Sequence, residues 1–60
     1  MTINEVYVYY GENWAESMRR MGLARMSYRY WMRIGGIPRQ TQYKIQKLTD
    51  GELKVTPHVD

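Results

Sequence analysis

The chain contains no cysteine, no phenylalanine, one histidine and two prolines. Each scarcity removes a class of protein. Without cysteine there is neither a disulfide framework nor a Cys-ligated zinc or iron–sulfur site. His58 alone cannot supply a two-histidine metal site. The longest apolar run, Val6-Tyr7-Val8-Tyr9-Tyr10, has five residues, against the roughly 20 needed to span a bilayer. No basic residue precedes that run, so it does not read as a signal peptide, and the expected location is the cell interior. Length narrows the field further. A 60-residue chain buries only about 60% of the surface its unfolded form exposes, which leaves no room for a large pocket. No cofactor, metal or small-molecule substrate is therefore expected. The carboxylates lie toward the two ends, no nucleophile–base pair has supportive spacing, and no glycine-rich phosphate loop occurs, so an enzyme is not expected.

What is present is aromatic, methionine-rich and unevenly charged. Six Tyr, two Trp and five Met supply most of the bulky apolar volume. The net charge of +3 conceals a segregation. Residues 1–18 carry Glu5, Glu12 and Glu16 and no base. Residues 19–47 carry Arg19, Arg20, Arg25, Arg29, Arg33, Arg39, Lys44 and Lys47 and no acid. Residues 48–60 return to a net negative charge through Asp50, Glu52 and Asp60 against Lys54. A solvated helical surface mixes signs to form i,i+4 pairs, and the middle segment does not. Arginine dominates there, and its planar fork suits phosphates and base edges. That points to a polyanion-binding surface.

Periodicity predicts helices. Ile3, Val6, Tyr7 and Tyr10 share one helical face over residues 3–10, although the Val/Tyr run has strand propensity. Thr2 and Glu5 fit a capping box, and Gly11 a left-handed stop. Asn13 caps a second helix with Glu16 in its first turn, Trp14, Met18 and Met21 line its inner face, and Gly22 closes it. A third helix starts near Arg25 and ends by Gly35-Gly36, with Tyr28, Trp31 and Met32 inward and Arg25, Met26, Arg29, Tyr30 and Arg33 outward. Ile37-Pro38 opens a fourth, to about Leu48, with Pro38 at its first position and Thr41, Ile45 and Leu48 inward. Asp50-Gly51 makes a turn. Glu52 to Thr56 alternates like a short strand that Pro57 ends, which must pair with something or remain an extended tail. The expectation is a mainly α domain over residues 1–60, with four to five helices, a helix-turn-helix at about 14–34 and a short extended or strand-like C-terminal segment.

Short helix, glycine turn and a second helix with arginines outward is the helix-turn-helix arrangement, whose second helix enters the major groove. Met21-Gly22-Leu23, then Tyr28 and Trp31, then Gly35-Gly36-Ile37-Pro38 resembles the Cro family of phage repressors. The continuation Tyr43-x-Ile45-x-x-x-Thr49-x-Gly51-x-Leu53-Lys54 resembles its all-helical branch, and together these motifs span roughly residues 3–54. Departures are Met18 in place of a small residue, Tyr28 in place of a small aliphatic, Trp14 in place of Gln and Ala24 in place of a Ser cap.

The resemblance implies a transcriptional repressor that binds double-stranded DNA at a palindromic operator as a homodimer, weakly associated off DNA, inside a bacterial host. It implies base contacts from Arg25, Met26, Arg29 and Tyr30. Phosphate contacts fall to Asn13, Arg33, Arg39 and Gln40, and the dimer surface to residues 43–56. Trp14, Met18, Met21, Tyr28 and Trp31 read as core, Arg19 and Arg20 as solvated, Lys44 and Lys47 as general electrostatics, and His58 as an idle surface residue. Two alternatives remain. Ser27-Tyr28-Arg29-Tyr30-Trp31 followed by Gly36-Ile37-Pro38 also resembles an excisionase-like DNA-bending module, which requires a hairpin rather than a helix at 38–48. The same arginine face also suits a protein-interaction module for an acidic partner.

Overall fold

The computed structural model describes residues 1–56. Four helices follow one another: α1 (Ile3–Tyr9), α2 (Trp14–Met21), α3 (Ser27–Ile34) and α4 (Arg39–Leu48), with no strand among the described residues. Pro57 and His58, to which sequence assigned a strand end and a surface role, lie outside that range. The domain is mainly α, as expected.

Local chemistry overrides strand propensity in α1. Thr2 Oγ1 accepts from the Glu5 amide at 3.0 Å, and Glu5 Oε1 accepts from the Thr2 amide at 2.7 Å, completing the capping box. Each orphan donor thereby gains a partner. Val6 is fully buried, Ile3, Tyr7 and Tyr10 are half-buried, and Val8 and Tyr9 face out. In α2, Asn13 Oδ1 accepts from the Glu16 amide at 3.0 Å. Gly22 ends that helix at φ +68°, where its neighbour Leu23 donates back to the Met18 carbonyl at 2.9 Å. This reversal needs a left-handed residue, and it aims the chain into the turn before α3.

The core gathers Met1, Val6, Met18, Met21, Trp31, Ile37, Ile45 and Leu53, with α1 and α2 both packed on α3. Trp14 joins the helices through its ring. It stacks on Tyr28 at 4.9 Å and 3°, meets Tyr7 at 4.9 Å and presents an edge to Trp31 at 6.1 Å. Trp14 and Tyr28 therefore fill each other's space, and both pack against the buried cluster that holds Met18.

Two inward assignments are corrected. Met32 is 53% exposed and Leu48 is 50% exposed. The buried stripe of α3 is centred between Tyr28 and Trp31, and at about 100° per residue Met32 falls roughly 70° off it. In α4 the inner stripe is Gln42, Ile45 and then Thr49 beyond the last turn, which leaves Leu48 roughly 90° away. Thr41 is half-buried. Two boundaries also move. The third helix begins at Ser27 rather than near Arg25, and Pro38 stands just before α4 rather than at its first position.

The strand-like reading of residues 52–56 is replaced by a docked irregular tail. Side chains on one stripe of α4 act where a partner strand would. Thr49 Oγ1 accepts from the Leu53 amide at 3.1 Å, Gln46 Oε1 from Val55 at 2.8 Å and Gln42 Oε1 from Thr56 at 3.0 Å. Gln42 does more. It is 2% exposed, accepts from the Met1 amino nitrogen at 3.2 Å and donates to the Ile37 carbonyl at 2.9 Å. The same amino nitrogen reaches the Lys54 carbonyl at 2.6 Å and Thr56 Oγ1 at 2.7 Å.

Candidate nucleic-acid interface

The α2–turn–α3 unit supplies the geometry. Between Gly22 and Ser27 the chain turns tightly, with the Ser27 amide donating to the Ala24 carbonyl at 3.0 Å and the Arg29 amide to Met26 at 3.0 Å. Arg25 and Met26 consequently sit in the turn ahead of α3 rather than on its first turn. The N-cap of α3 is Met26 rather than the expected Ala24, and it makes no side-chain cap because a thioether is a poor substitute for a capping oxygen.

From this frame Arg25, Met26, Arg29, Tyr30 and Arg33 are all exposed. Arg25, Met26 and Arg29 come together around one open cleft of about 490 Å³, which Tyr28 and Ala15 complete. Ala15 is not among the site residues that the sequence points to. Its small side chain on the first turn of α2 opens the space between that helix and the arginines. Arg25 also borders a second hollow of about 280 Å³ with Arg19 and Leu23.

The other sequence-chosen residues do not line that cleft. Arg39 and Gln40 are the first two residues of α4, exposed, at a helix end with no side-chain cap. That end presents unpaired backbone amides and the positive pole of the helix dipole. Asn13 is exposed, but its carbonyl oxygen is committed to capping α2. Its amide nitrogen is the group left to reach a ligand.

Electrostatics sharpen the picture. Among the described residues the one ion pair joins Arg19 to Glu16 across a helical turn. Arg20, Arg25, Arg29, Arg33, Arg39, Lys44 and Lys47 have no carboxylate within ion-pair distance there. Away from the cleft, burial pushes the Tyr10 hydroxyl above its ordinary value of 10.0, Tyr9 adds to the rise and Arg20 opposes it. No group of three or more His, Asp or Glu side chains able to hold a metal exists among the described residues. No helix there is long and apolar enough to cross a membrane.

The exposed arginines of the turn and α3 can hold an anion and present donors and apolar groups to it, and the start of α4 offers a separate helix end suited to an anion. Comparison with known proteins adds no relative to this picture: no family model, no curated protein and no solved structure matches the chain.

Proposed function

We propose that this chain is a sequence-specific double-stranded DNA-binding repressor of the Cro type. In this reading it occupies a palindromic operator as a dimer, reading the major groove with the turn before α3 and with α3 itself. One observation carries it. Arg25, Arg29 and Arg33 stand exposed and without a carboxylate partner among the described residues, Arg25 in the turn before α3 and the other two on α3, whose inner face Tyr28 and Trp31 already occupy. Such a surface is costly to keep for solubility alone, because like charges repel and no i,i+4 pairs relieve them.

Base contacts fall to Arg25, Met26, Arg29 and Tyr30. An arginine bidentate to guanine is worth about 1–3 kcal/mol of discrimination against the wrong base. Arg33, Arg39, Gln40 and the Asn13 amide take phosphates, which fix register on the duplex without reading it. Residues 43–56 carry the dimer contact, where Tyr43 and Leu48 are 57% and 50% exposed. The competing excisionase-like arrangement needs a hairpin where residues 39–48 form α4.

Selection from random duplexes at two salt concentrations tests the proposal. Enrichment of a palindrome with half-sites about one helical turn apart, bound more weakly at the higher salt, is the expected result. Failure to enrich any sequence would overturn it. So would an acidic protein ligand whose binding Arg29→Glu abolishes while the same change leaves DNA binding unaltered.

A further inference from the structure

Two helix faces belong neither to the core nor to the arginine surface. At about 100° per residue, Asn4, Glu5, Val8 and Tyr9 share the side of α1 that faces away from buried Val6, and all four are exposed. Val8 and Tyr9 are 54% and 46% exposed. With Leu53 of the tail, these residues line a hollow of about 360 Å³. Tyr43, Lys44, Lys47 and Leu48 likewise share the outward side of α4, away from buried Gln42 and Ile45. Apolar side chains grouped at a hollow, unlike single ones scattered over a surface, mark a place of association.

The two faces have opposite signs. Glu5 is the one charged residue of α1. Its Oε1 accepts from the Thr2 amide, and no described base lies within ion-pair distance of it. Glu52 and Lys54 flank Leu53 in the chain and offset each other, so Glu5 sets the sign beside the hollow. The outward side of α4 carries Lys44 and Lys47 and no acid. Two α4 faces set together would oppose these lysines to their own copies, and two α1 faces would oppose Glu5 to itself. Like charges across an interface are costly. An α1 face against an α4 face removes both conflicts. Spacing agrees as well: Glu5 and Tyr9 lie four residues apart, as do Tyr43 and Lys47, so on each helix a charge stands one turn from an aromatic ring. Laid antiparallel, the helices bring Lys47 to Glu5 and Tyr43 to Tyr9 in one register.

Resting on the pair that the DNA-binding reading calls for, we infer that the outward face of α1 and its hollow receive the outward face of α4 from a second copy of the chain. Lys47 meets Glu5, and Tyr43 and Leu48 cover Val8, Tyr9 and the hollow. The arginines of the turn and α3 take no part.

Sedimentation equilibrium on the untagged chain tests this, and wild type should associate between about 10 µM and 1 mM. Val8→Lys puts a base on α1, and Lys47→Glu puts an acid on α4. Each should weaken association roughly tenfold, with an unchanged circular dichroism spectrum because both positions are exposed. Mixed in equal amounts, the two variants should associate more tightly than either alone, since one supplies an intact α4 face and the other an intact α1 face. Loss with Lys47→Glu but not with Val8→Lys overturns the contact, as does a mixture that shows no recovery. A wild-type chain that stays monomeric at about 1 mM also overturns it. So does loss with Arg29→Glu in place of Lys47→Glu, which would seat α1 on the arginine face. Association as described, by a chain that enriches no duplex sequence, leaves the contact standing and refutes the DNA-binding reading.

Discussion

Gln42 is the side chain whose loss should be felt farthest from its own position. Gln42→Leu keeps the volume nearly constant and removes three hydrogen bonds. These run to the Ile37 carbonyl, the Thr56 amide and the Met1 amino nitrogen. The Ile37 carbonyl bond is buried, and leaving such an acceptor unsatisfied costs about 1–3 kcal/mol. The Thr56 amide is only part-buried, so its loss should stay near 0.5–1 kcal/mol, roughly the lower range for a net bond. The Met1 nitrogen retains Lys54 and Thr56 as partners and adds little. The total is about 1.5–4 kcal/mol. A 60-residue domain has roughly 3–9 kcal/mol of stability in all, so the variant should be marginal. Urea titration followed by tryptophan fluorescence reads this directly. Gln46→Leu is the internal standard, because Gln46 makes one part-buried bond to the tail, to Val55, and should cost only about 1 kcal/mol. If Gln42→Leu is no more destabilising than Gln46→Leu, the docking of chain start, α3–α4 link and tail through Gln42 is wrong.

Two further outcomes follow from the same geometry. Gly22→Ala places a Cβ on a residue at φ +68°, where it meets Lys44 Nζ at 4.0 Å, an ordinary contact, but the backbone is unfavourable. Thermal unfolding should show a loss of about 1 kcal/mol, roughly 4–8 °C for a domain of this size. The raised Tyr10 hydroxyl means that the folded state holds this proton more tightly than the unfolded state. Its contribution to stability is therefore complete below the unfolded value of 10.0 and is lost as pH rises through the higher folded value. Tyr10→Phe should flatten the decline in stability seen above that pH, and an unchanged slope would remove Tyr10 as its source.

Much of the helical frame was legible because its signals are local. The capping box at Thr2 and Glu5, the Asn13 cap, the left-handed Gly11 and the Gly22 that closes α2 each act within a few residues, and all appear in the structure. The tail was not legible for the opposite reason. Alternation at residues 52–56 suggested a strand, yet its partners are side chains of α4 up to 14 positions earlier. A glutamine in a polar helix gives no sign that it is buried until those partners are known. For the candidate site, charge segregation exposed the arginine face before any fold was known. The convergence of Arg25, Met26 and Arg29 on one cleft depended on the turn at Ala24–Ser27 and on Ala15, which no periodicity marks.

The salt dependence of binding to the selected duplex tests the central claim most directly. If Arg33 and Arg39 of each protomer neutralise phosphates in a dimer, log Kobs should fall with log salt at a slope of roughly −3 to −4. The selected site should also bind about a thousandfold or more tightly than a scrambled duplex. A slope near zero, or equal affinity for the selected and scrambled duplexes, would contradict the account.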